Sequence, residues 1–166
     1  THIPIKDVYT INLSSKTKKA NAFICGLGRG RRVVLSDTLV NHFTPSEIAG
    51  VVAHEIAHLK HHDIFKLTLI NGIFIFMGFF LIDQILEISL GWLGLISIDD
   101  IALFPVVVLS FMILGLMLMP AMNAYSRLLE RRADAFSLKL TQNPVDFISM
   151  LHKLGEMNLA ELKPDR

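Results

Sequence analysis

Val51-Val52-Ala53-His54-Glu55-Ile56-Ala57-His58 is the stretch on which the reading of this 166-residue chain turns. Residues four apart on a helix share a face, with their Cβ atoms roughly 5–6 Å apart. His54 and His58 can therefore offer two imidazole nitrogens to one metal ion. Glu55, one step round from His54, lies where a carboxylate can take a proton from a water at that metal. Two histidines facing each other or solvent, with Glu55 a surface charge, would be the bland alternative. Upstream, Thr44-Pro45-Ser46-Glu47 is a strong helix start: Thr44 as N-cap, Pro45 at the first helical position, and Glu47 closing a capping box. Ile48, Val51, Val52, Ile56 and Leu59 then make this a partly buried helix.

The composition narrows the classes. The length suits one domain with its own core. The apolar fraction of 52% is high for a soluble domain, and the excess sits in two blocks. A net charge of +1, with no basic stripe interleaved with aromatics, gives no nucleic-acid surface. Cys25 is the one cysteine, so no internal disulfide forms; a small buried hydrophobe in a strand is its expected role. Thr1 in place of an initiator Met points to an excerpt of a longer protein.

Ahead of the motif, Val8 to Leu13, Asn21 to Gly26 and Arg32 to Leu35 read as strands of a small antiparallel sheet. Leu27-Gly28-Arg29-Gly30-Arg31 forms the turn between the last two. This Gly-x-Gly is no phosphate loop, since no helix start follows it. After Asp63 the chain turns apolar. Residues 64–82, interrupted by Lys66 and Asn71, and the uncharged residues 101–122 are each long enough for a helix across a hydrocarbon core, which needs about 20 residues. Two buried core helices are the alternative. The loop between them, 83–100, carries Asp83, Glu87, Asp99 and Asp100 and no Lys or Arg, whereas both flanks are basic. By the positive-inside tendency the flanks, and the motif with them, are cytoplasmic and the acidic loop is extracytoplasmic. Two crossings return the chain to its starting side, so residues after 122 can meet His54 and His58.

There, Asn123 to Leu140 reads as a helix with Glu130 and Asp134 four apart on one face and Arg127 three before Glu130. Catalytic zinc sites commonly use three protein ligands, His₂Glu being one such set. Glu130 is the candidate third ligand. Asp134 is placed to accept a hydrogen bond from the far nitrogen of a ligating histidine, and Arg127 to support the same acids. A solvated face in which both acids pair with Arg127 and Arg131 is the alternative, as are His61 or His62 as competing ligands.

These motifs resemble, over nearly the whole chain, the integral-membrane zinc metallopeptidases that include the type 1 CAAX prenyl protease and the HtpX heat-shock protease. The residues that carry it are Asn21-Ala22-Phe23, Val33-Val34-Leu35-Ser36-Asp37-Thr38-Leu39, His54-Glu55-Ile56-Ala57-His58 and Ser126-Arg127-x-x-Glu130-x-x-Ala133-Asp134-Ala135-Phe136. Asn158-Leu159 and the Asp-Ala-Phe form resemble the CAAX-protease branch, His58-x-x-x-x-Asp63 the HtpX branch. The resemblance implies a gluzincin-like, mainly α domain with a small sheet, interrupted by a two-helix transmembrane hairpin. It implies one zinc ion per chain on His54, His58 and Glu130, with Glu55 as general base. It also implies that Asn21-Ala22-Phe23 is an edge strand to which an extended peptide adds. Substrates would be membrane-associated proteins, prenylated or misfolded, at a bacterial or archaeal inner membrane or an ER-type membrane. The family's further membrane helices upstream and its His-Pro segment downstream are not in this sequence. A non-catalytic, metal-stabilised membrane scaffold or a regulatory zinc-binding module is the rival reading; a scaffold needs the metal but not Glu55.

Overall fold

The computed structural model describes residues 3–94, 97, 98 and 100–159. Three strands, β1 (Asp7–Ile11), β2 (Ala22–Cys25) and β3 (Arg32–Ser36), precede five helices. These are α1 (Asp37–His42), α2 (Pro45–His61), α3 (Asp63–Leu93), α4 (Phe104–Thr141) and α5 (Pro144–Leu159). The architecture is mainly α with one small sheet.

The sheet is mixed, not wholly antiparallel as expected: its order is β1-β3-β2, with β1 parallel to β3 and β2 antiparallel to it. The reason is the link after β1. The Leu13 and Ser14 amides and the Ser14 hydroxyl donate to the Asp37 carboxylate just beyond β3. Farther on, the Thr38 hydroxyl donates to the Lys19 carbonyl and the Asn21 amide to Ser36 Oγ. The link is thus tied over the end of β3, and β2 is delivered to the far side. β3, central, is buried at Val33, Val34, Leu35 and Ser36. β2 pairs with β3 alone among the described strands, which leaves its other edge free. Cys25, at its end, is exposed rather than buried.

α2 starts as its sequence dictates. Thr44 Oγ1 accepts from the Glu47 amide while the Glu47 carboxylate accepts from the Thr44 amide. It stops at His62, whose left-handed backbone (φ 56°) caps the Leu59 carbonyl and breaks the path before α3 begins. Ala20, Ala22, Val33, Leu35, Leu39, Phe43, Val51 and Met150 form the core that joins the sheet, α1, α2 and α5.

The chain divides into two compact units: residues 1–63 with 129–166, and residues 64–128. The first holds the sheet, α1, α2, α5 and α4 from Leu129 on. The second holds α3 from Ile64 and α4 up to Leu128, which contain the two apolar runs. Each is long and apolar enough to cross a membrane, and large side chains such as Phe76, Phe80, Leu116 and Met117 are exposed on them. Much of the expected loop is helical instead, since α3 runs on to Leu93; Asp99 lies outside the described residues.

Candidate metal centre

His54 and His58 come from consecutive turns of α2, and their Nε2 atoms lie 3.1 Å apart. Glu130, from α4, faces both, with Oε2 3.3 Å from His54 Nε2 and Oε1 3.8 Å from His58 Nε2. One ligand atom from each of the three falls within 4.8 Å of the others. A side-chain-to-backbone bond also ties the two helices: Ser137 Oγ donates to the Gly50 carbonyl at 2.7 Å. On the side facing α5, a Cβ at Gly50 would meet Met150 Sδ at 2.9 Å, so any larger residue there would have to displace that side chain.

The other nitrogen of each ring decides what the centre can hold. His54 Nδ1 lies 2.9 Å from Asp134 Oδ1 and His58 Nδ1 lies 3.0 Å from Asp63 Oδ2. A carboxylate accepts, so each Nδ1 donates, and in the neutral ring that leaves Nε2 with a lone pair. Two such lone pairs and a carboxylate then converge with no proton between them. That arrangement is repulsive by itself and attractive around a cation, so the residues fit a metal ion. Imidazole with carboxylate suits zinc.

Glu55 is half-buried and lines a cleft of about 180 Å³ together with His54, Asp134, Asn21 and Ala22. Burial pushes the Glu55 carboxyl up; His54 and His58 pull it the other way, and Glu130 adds to the rise. A raised carboxyl in a cleft is the condition in which a carboxylate works as a base and then as an acid.

The remaining candidates are placed as follows. Phe23, 40% exposed, is not among the described residues lining the cleft. Arg127 lies on α4 within the other unit and is exposed. His61 packs its ring edge-on against Phe136, with centroids 6.1 Å apart. His62 is exposed at the left-handed cap; neither belongs to the cluster. Asn158 also lines the cleft, whereas the Leu159 side chain lies outside the described residues. Sequence reasoning gave no role to Asp63 and Arg132. Asp63 is buried, and its second oxygen accepts a hydrogen bond from Arg132 Nη2. The acid five residues after His58 was the one available signal.

Two histidines and an adjacent glutamate on one helix, with an acid from a second helix, are the constellation of a metallopeptidase. Residues 1–161 match peptidase family M48, and the chain belongs to that family. It is 30% identical over 168 residues to a Bacillus subtilis protein named Uncharacterized metalloprotease YhfN, covering 98% of this chain and 39% of that protein. It is 32% identical over 176 residues to Probable CAAX prenyl protease 1 of Schizosaccharomyces pombe, covering 99% and 35%. Protease HtpX of Chromohalobacter salexigens is 29% identical over 161 residues, covering 89% and 51%. Among solved structures, the chain is similar to S. mikatae Ste24p, with a TM-score of 0.63 and 28% identity, covering 98% of this chain and 40% of that one. The chain therefore spans about two fifths of YhfN and of Ste24p.

Proposed function

We propose that the chain is the catalytic part of a membrane-embedded zinc endopeptidase that cleaves membrane-associated proteins. The carrying observation is the convergence of His54, His58 and Glu130 beside Glu55, in a cleft also lined by Asn21 and Ala22. His54, His58 and Glu130 would hold one zinc ion per chain, which when bound supplies Lewis acidity toward a scissile carbonyl and its attacking water. Glu55 takes the proton of that water and passes it to the leaving amine. Asp134 holds the His54 ring in its ligating tautomer. Arg127 supplies positive charge near the acids of α4.

An extended substrate adds to the free edge of β2 at Asn21-Ala22-Phe23, its backbone pairing with unused donors and acceptors and its side chains selecting the fit. The two apolar helices cross the membrane as a hairpin. The basic flanks support a cytoplasmic side for the centre, where lipid-anchored or misfolded membrane proteins are within reach. The relative named Probable CAAX prenyl protease 1 supports the prenylated class of substrate.

Metal analysis of the detergent-solubilised protein, paired with hydrolysis of a quenched fluorescent peptide, tests this. The expected outcome is about one zinc per chain, lost in Glu130→Ala and kept in Glu55→Gln, with hydrolysis lost in both. Turnover surviving in Glu55→Gln removes the base assignment. Metal content unchanged in Glu130→Ala removes the ligand assignment. Zinc bound without hydrolysis of any membrane-protein peptide would favour a metal-stabilised scaffold.

A further inference from the structure

We propose that Asp63, braced by Arg132, is a positioning residue for the metal centre: it holds His58 in the orientation and tautomer in which Nε2 can ligate. This rests on the metallopeptidase reading above and deepens it.

The geometry separates this role from that of an ordinary ion pair. Asp63 divides its two oxygens, Oδ1 accepting from Arg132 Nη2 and Oδ2 from His58 Nδ1 at 3.0 Å. Its side chain is 3% exposed, against 39% for Asp134, which makes the matching contact to His54. A buried carboxylate is costly unless its charge is matched and its lone pairs are used. Arg132 matches the charge, and that frees the other oxygen for the imidazole. With little water to compete, a hydrogen bond to a buried carboxylate is stronger than the same bond at a surface. The two histidines are therefore held unequally, His58 by the drier partner.

The contact also joins three helices at one point. His58 is in the last turn of α2, Asp63 is the first residue of α3, and Arg132 follows Glu130 by two residues on α4. One carboxylate thus touches both the second histidine and the helix that carries Glu130. Asp63 and Arg132 are 69 residues apart in sequence.

The test is zinc affinity of the full chain in detergent, by competition with a chromogenic chelator, beside the melting temperature of the metal-free protein and the visible spectrum of the cobalt-substituted form. Asp63→Asn keeps the shape and one acceptor while removing the charge, and Asp63→Ala removes both. Loss of such an outer partner typically lowers metal affinity about 10–100-fold. We expect Asp63→Asn near the lower figure and Asp63→Ala near the upper, each with an altered cobalt spectrum. Arg132→Gln should weaken binding by the same route, and adding it to Asp63→Ala should cost little more. Affinities of Asp63→Asn and Asp63→Ala within about 2-fold of wild type would overturn the inference. So would a lowered metal-free melting temperature with affinity intact, which is what a merely structural ion pair gives. Absence of zinc binding by the wild type is a different failure, because it removes the metallopeptidase reading on which this one stands.

Discussion

At the scale of single residues, the centre consists of groups whose roles depend on which neighbour holds their protons. His54, Glu55 and His58 were legible because one helix period separates the histidines, and local geometry alone then puts them on one face. Glu130 and Asp134 were legible only as candidates, since two acids four apart suit a solvated helix face equally well. Their placement beside His54 needed the packing of α4 on α2. Asp63 and Arg132 were not legible as partners, because nothing local brings together residues 69 apart. Asp134 yields a prediction at this scale. With its carboxylate gone, the His54 ring can adopt the other tautomer or turn away. Asp134→Ala should therefore lower zinc affinity about 10-fold while leaving the fold unchanged. Isothermal titration read beside circular dichroism checks both halves; unaltered affinity would leave Asp134 a surface acid.

At the scale of elements, α2 is the piece on which the others converge. Its first turn is anchored to α5, where Lys153 Nζ donates to Glu47 Oε2 at 2.7 Å and Ser149 Oγ to Glu47 Oε1 at 2.6 Å. Burial alone would raise the Glu47 carboxyl. The bonds from Lys153 and Ser149 and from the Thr44 amide overcome it, and the group falls from 4.5 to about 2. A carboxyl lowered by folding adds stability above its unfolded value and loses it as pH drops toward the folded one. Thermal stability should therefore fall between pH 4.5 and about 2. Glu47→Gln, which keeps the capping box, should be less stable at neutral pH and flatter through that window. Parallel melting curves across the window would sink this account. Met150, 1% exposed against Gly50 and the core, carries the same interface on its apolar side. Met150→Ala should cost about 2–5 kcal/mol in chemical denaturation, as large-to-small core changes do. The mixed sheet shows where local reading stops. Strand identity follows from composition, but partner direction followed from Asp37 and Ser36 gathering the long link.

For the molecule as a whole, metal and membrane are the two external determinants. A ligand that binds only the folded state stabilises it by RT ln(1 + [L]/Kd), about 2.7 kcal/mol at a hundredfold excess over Kd. Chelation should accordingly lower the melting temperature of the wild type and leave that of Glu130→Ala unmoved. Equal shifts in both would mean that the ion sits elsewhere. Sidedness can be read with impermeant thiol reagents in sealed membranes. Cys25 should be labelled from one side only, and an Ile98→Cys introduced into a Cys25→Ser background from the other. Labelling of both from the same side would exclude the hairpin. The sequence alone determined the helix that bears His54, Glu55 and His58, its capped start, the two apolar runs and the three strands, because each of these is specified by periodicity and composition within a few turns of chain. Only the tertiary structure decided the parallel pairing of β1, the meeting of Glu130 with both histidines, and the buried bond from His58 to Asp63 and on to Arg132. Those depend on contacts between distant residues, and such contacts exist only once the chain has folded back on itself, as where Ser137 of α4 bonds the Gly50 carbonyl of α2.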